Sequence, residues 1–127
     1  MVASQLFSVS HSKAVLDVKT LLVECITPRS KPRMDEVNDI AKAAGYNVVG
    51  QVTQHREAVD SAYCIGEGKL DEIRRTIGKE SIEVLIFTRQ LSAGQIFRIK
   101  RKLGDEIRVL DRNLLILEVF EKRSATR

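Results

Sequence analysis

From residue 19 onward, short apolar runs alternate with stretches whose apolar residues recur every three or four positions. The first pattern predicts buried strands and the second predicts helices with one buried face. Residues 20–26 (TLLVECI) form the first apolar run, and Pro28 and Pro32 break the chain after it. Met34, Val37, Ile40, Ala41 and Ala44 then fall at helical spacing, with Asp35 and Glu36 in the first turn and Gly45 as terminator. Residues 46–54 (YNVVGQVTQ) predict a second strand, and 63–66 (YCIG) a short further one. Leu70, Ile73 and Ile77 mark the next helix, which Gly78 is expected to close. Residues 82–88 (IEVLIFT) give the clearest buried strand. Ser92 and Gln95 make a capping-box pattern, Ile96, Ile99 and Leu103 line a helix face, and Gly104 ends that helix. Residues 106–111 (EIRVLD) predict a last strand.

Residues 113–120 (NLLILEVF) have the composition of a strand. Asp111 is a good N-cap, however, and no turn residue interrupts the chain through EKRSATR. A helix is therefore expected, apolar around much of its circumference and burying more than one face. Residues 1–18 have no clear period and are expected to be a tail or an added edge strand.

Strands alternating with helices predict an α/β domain over residues 19–127. Its sheet should be mostly parallel, with about four strands and helices packed around it. Sites in such sheets gather at the carboxyl ends of strands. That points to the loops at 27–33, 55–62, 66–69, 89–92 and 111–113.

The chain has 127 residues, 43% hydrophobic and 30% charged, enough for one globular domain with a real core. No apolar run is long enough to span a bilayer, and the first twenty residues lack the apolar block of a signal peptide. A cytoplasmic protein with no membrane partner is expected. A net charge of +4 and a pI near 9.3 lean toward polyanionic partners. Four Phe, two Tyr and no Trp offer no evident base-stacking platform. Cys25 and Cys64 lie far apart in apolar runs read as strands, so buried, reduced thiols are expected. His11 and His55 are isolated, and no metal-ligand spacing or catalytic grouping is found.

Two features carry candidate chemistry. Gly66, Gly68 and Lys69 lie where a strand is expected to give way to a helix, a place where backbone N–H groups can hold phosphate. The segment is not a Walker A loop, because Leu70 follows Lys69 where a hydroxyl is needed. Glu67, Asp71 and Glu72 would repel an anion, so a steric turn is the competing reading. The second feature is basic. Arg98, Arg101 and Lys102 share the helix face opposite Ile96, Ile99 and Leu103, with no nearby acid in sequence until Asp105. Arg29, Lys31 and Arg33 form another cluster in a loop. Both suit contacts to RNA phosphates, and a solvated surface is the alternative.

Three blocks, VVGQVTQHRE, YCIGEGKLDEIR and the stretch from LSAGQIF to the end, resemble in order and spacing the amino-terminal domain of the HflX family of ribosome-associated GTPases. The family's glycine loop is matched by Tyr63, Ile65, Gly66, Gly68, Lys69 and Glu72. Leu91, Ser92 and Gln95 match its Leu-Ser-Pro-x-Gln helix start, with Ala93 in place of Pro. Asp111, Arg112, Leu115, Ile116, Leu117, Phe120 and Arg123 match its final run, with Asn113-Leu114 in place of Thr-Gly. The family's GTPase domain is absent from these residues.

The resemblance implies a mostly parallel sheet and a place beside the large ribosomal subunit or its RNA. With no Walker A loop and no GTPase domain in these residues, a non-catalytic domain without an obligate cofactor is expected. ATP or GTP binding through Gly66–Lys69, with weak ATPase activity, is the alternative the resemblance leaves open. A third reading is an interaction module. Leu114, Leu115, Leu117 and Phe120 on the final helix would then mediate a weak homodimer.

Overall fold

The computed structural model describes residues 18–125. Four strands, β1 (Lys19–Ile26), β2 (Asn47–His55), β3 (Val84–Phe87) and β4 (Arg108–Leu110), form one sheet in the order β2-β1-β3-β4. Every pairing is parallel. Four helices intervene or follow: α1 (Met34–Ala43), α2 (Glu67–Glu80), α3 (Ala93–Leu103) and α4 (Arg112–Ala125). The α/β class and the parallel sheet expected from the alternation are therefore present. The expectation for residues 1–18 falls almost wholly outside the described residues.

The two sheet faces carry separate cores. Leu70 and Ile73 of α2 and Ile99 of α3 pack with Leu21, Val23, Cys25, Leu85 and Phe87 on one face. Val37 and Ala41 of α1 and Leu115 of α4 pack with Leu22, Val84 and Ile86 on the other. The crossover from β1 to β2 moves one way across the sheet over the α1 face. The crossovers to β3 and β4 move the other way over the opposite face. Direction and face reverse together, so all three crossovers have one hand, as twisted parallel sheets require.

A bulge in β2 reconciles its pattern with both cores. Thr20 pairs with Val48 but Leu21 pairs with Gly50, leaving Val49 unpaired and half exposed. Val48 consequently joins the α1 side while Val52, of the same parity, joins the other. A side chain at Gly50 would stand 3.0 Å from Leu21 Cδ1, so the close approach of the bulged strand suits glycine there.

Two expectations are corrected. Residues 63–66 are not a strand; Cys64 makes only an isolated antiparallel bridge with Asp60. Its φ of 70° turns the chain sharply, so no extended run can form. Gly78 does not end its helix either. α2 continues to Glu80, and Ser81, at φ 58°, supplies the left-handed cap. The capping box at Ser92 and Gln95 is formed in both directions, and Gly104 closes α3.

The final segment is a helix, as Asp111 predicted. Asp111 is buried, and its carboxylate accepts N–H bonds from Leu114 in α4 and from Leu91 ahead of α3, both at 2.8 Å. Arg112 adds a two-pronged pair to Glu36 of α1 at 3.1 Å. Farther along, Tyr46 donates its hydroxyl to Glu118 and accepts from Arg108. Burial first, then the bond to Glu118, pushes the Tyr46 phenol up to about 12 from its ordinary 10.0. A raised folded-state value means this contribution is intact below pH ~10 and lost as pH rises toward 12. In a Tyr63→Phe background, tyrosinate absorbance should therefore appear near pH 12; a midpoint at the free-tyrosine value would contradict the buried pair.

Candidate functional site

The glycine loop is tied into the chain. The Gly66 N–H donates to Gln54 Oε1 at 2.8 Å. Gly66 has φ −65° and ψ 151°, an ordinary extended conformation, and a side chain there would meet Arg56 Nη1 at 2.8 Å. A side chain at Gly68 would meet nothing within 4 Å. The bend falls on Cys64 rather than on either glycine. Lys69 pairs with Glu72 at 3.3 Å, and Glu67 is exposed. The preceding loop is held by Asp60, whose Oδ2 accepts from the Ala62 and Tyr63 N–H groups.

The basic face of α3 has different surroundings from those its own sequence suggests. Lys102 donates to Glu67 of α2 at 2.6 Å, with Asp71 4.0 Å away. That hydrogen bond to Glu67 is the main reason the Lys102 ammonium is held above its usual range. Arg98 reaches the carbonyl oxygens of Ala62 and Ser61 at 3.3 and 3.4 Å. The face is thus compensated by acids and carbonyls distant in sequence. Arg101 keeps no ion pair among the described residues and lies over the Phe97 ring, 5.7 Å from its centroid.

Phe97, which the sequence reading did not single out, and Tyr63, named there only as part of the glycine loop, lie here. Phe97 is 60% exposed, and it lines a shallow groove with Tyr63, Arg98, Arg101 and Lys102. Lys102 Nζ is 6.0 Å from the Tyr63 ring centroid. An aromatic and basic groove therefore exists, although no two aromatics are neighbours in the chain. A large apolar ring on the polar face of α3, out of register with Ile96, Ile99 and Leu103, was the available signal.

The second basic cluster is elsewhere. The 27–33 loop leads into α1, on the sheet face opposite α3. Arg29, Lys31 and Arg33 are all exposed there. They meet Arg89, at the end of β3, around a separate cleft. The two clusters do not form one surface.

On α4, Leu114, Leu117 and Phe120 are 39%, 53% and 61% exposed. Leu115 belongs to the core and offers no surface. Cys25 and Cys64 are buried free thiols, as expected. Burial, then the neighbouring Cys25, pushes Cys64 up to about 12. Among the described residues no cluster could hold a metal ion, and no helix is long and apolar enough to cross a membrane.

This topology defines a small α/β domain with a parallel sheet. By sequence, the chain belongs to the family described as GTP-binding GTPase N-terminal, whose profile matches residues 31–121. The GTPase HflX of Caldanaerobacter subterraneus is 30% identical over 110 residues, 86% of this chain and 25% of that protein. That of Alkalihalophilus pseudofirmus is 34% identical over 111 residues, 84% of this chain and 26% of that protein. The Escherichia coli HflX is 32% identical over 93 residues, 73% of this chain and 21% of that protein. The chain thus spans about a quarter of the length of these curated relatives. A GTP-binding protein from Sulfolobus solfataricus, solved in complex with GDP, superimposes with a TM-score of 0.63 at 28% identity, covering 80% of this chain and 30% of that one.

Proposed function

We propose that this chain is a non-catalytic, cytoplasmic regulatory domain of the HflX type that contacts RNA of the large ribosomal subunit. The observation that carries the reading is Phe97, an exposed aromatic ring bracketed by Arg98, Arg101 and Lys102 in one groove. Unstacked bases bind such rings from single-stranded loops, while neighbouring cations take the phosphates. Arg101 makes the freest phosphate contact. Arg98 and Lys102 exchange internal partners to do so, which limits their gain.

No catalytic role is assigned. The Gly66 amide and Lys69 have partners within the chain, and among the described residues no loop offers the Lys-Ser/Thr pair that P-loop hydrolysis uses. Pelleting of the chain with large subunits tests the reading. Saturable, salt-sensitive binding is expected, and salt-independent or absent binding would contradict it.

A second reading has its own observation. Leu114, Leu117 and Phe120 leave a stripe of exposed apolar side chains along α4. We infer weak self-association through this stripe. Sedimentation should show a concentration-dependent shift that Leu117→Glu removes; a monomer at all concentrations would end this reading.

A further inference from the structure

The strand order β2-β1-β3-β4 places β1 beside β3, yet their onward connections leave in opposite directions. Such a reversal opens a crevice at the carboxyl ends of the two strands, where open parallel sheets bind ligands. A cleft of about 540 Å³ lies there, lined by Glu24 and Cys25 of β1, the 27–33 loop, and Thr88, Arg89 and Gln90 after β3.

Its wall is prearranged. Buried Glu24 accepts from the Arg33 N–H at 2.7 Å and from the Thr88 hydroxyl at 2.9 Å, fastening the loop to the end of β3. Ser30 closes the loop's turn by accepting from the Thr27 N–H at 2.6 Å and returning a bond to the Thr27 carbonyl. Arg29, Lys31, Arg33 and Arg89 line the cleft against one carboxylate, Glu24, whose Oε2 accepts both of those hydrogen bonds. None of the four cations is in an ion pair among the described residues. Arg89 Nη1 is buried without a protein hydrogen-bond partner. A buried cationic donor left unpaired is costly, and an anionic oxygen relieves that cost.

We propose that this cleft binds a phosphate group, with Arg89 as the inner donor and Arg29, Lys31 and Arg33 at the rim. A guanidinium presents two parallel N–H groups to a phosphate, which favours that anion over chloride. The phosphate comes either from a free phosphorylated small molecule or from an RNA backbone. The site is distinct from the glycine loop and from the α3 groove, and it does not depend on ribosome binding.

The test is an amide NMR titration of the whole chain with pyrophosphate at constant ionic strength. Saturable shifts are expected at residues 29–33 and 88–90, with residues 66–69 still. Arg89→Gln should weaken binding about tenfold, the loss of one charge-assisted hydrogen bond. Should that variant fail to fold, exposed Arg29→Gln and Arg33→Gln together should weaken binding by a similar factor. No saturation at millimolar pyrophosphate, shifts centred on residues 66–69, or unchanged affinity in the folded variants would overturn the proposal. Two further titrants separate the sources. If ATP moves the cleft resonances and an RNA oligonucleotide lacking terminal phosphates does not, the ligand is a small molecule. If the oligonucleotide moves them and competes with pyrophosphate, the site holds a backbone phosphate.

Discussion

Asp111→Ala is expected to destabilise the domain by about 3 kcal/mol. The side chain performs two tasks from a buried position. One oxygen caps α4 through the Leu114 N–H, and losing such a cap costs about 1 kcal/mol. The other accepts from the Leu91 N–H, a buried donor that alanine would leave unpaired, at about 1–3 kcal/mol. The loss would also loosen α3 from α4, because Leu91 immediately precedes the capping box at Ser92. For a domain of this size the shift in Tm is about 10 °C. Asp111→Asn keeps one acceptor oxygen, so its loss should be about half as large. Urea unfolding of the three proteins measures both differences. An alanine variant within about 0.5 kcal/mol of the parent, the range of ordinary surface substitutions, would refute the double role.

Phe97→Ala should weaken binding to the large subunit while leaving stability nearly unchanged. The ring is mostly exposed, so its removal opens no cavity. Stacking of one base on an aromatic ring is worth about 1–3 kcal/mol, which corresponds to about 5- to 150-fold in affinity. Leu at this position keeps apolar area but not the ring, and should recover little. Loss of binding accompanied by unfolding would point to a structural role instead.

How much could be read in the chain differs from element to element. The sheet and its helices follow from local periodicity, and α4 follows from one N-cap against a strand-like composition. The turn at Cys64 did not follow, because its positive φ is imposed by a pair of backbone bonds with Asp60 rather than by glycine. The basic face of α3 was visible, but its compensation was not. Glu67 stands 35 positions before Lys102 and meets it only because α2 and α3 share a sheet face. Tyr63 and Phe97 join one groove for the same reason. Arg89 gave no signal at all. A single arginine after a buried strand becomes notable only once β1 and β3 are known to be neighbours, and strand order is a property of the whole fold.

We propose the α3 groove as the surface that faces RNA. Large-subunit binding measured across salt concentrations, for the parent and for the combined Arg98→Ala, Arg101→Ala and Lys102→Ala variant, tests it most directly. Each phosphate contact contributes about 0.7–0.9 to the slope of log affinity against log salt. Weaker binding is expected, with a slope reduced by at least about one contact, Arg101 being the cation of the three with no ion pair or hydrogen bond to another side chain or carbonyl among the described residues. Unchanged affinity with an unchanged slope would contradict it and leave α3 as ordinary solvated surface.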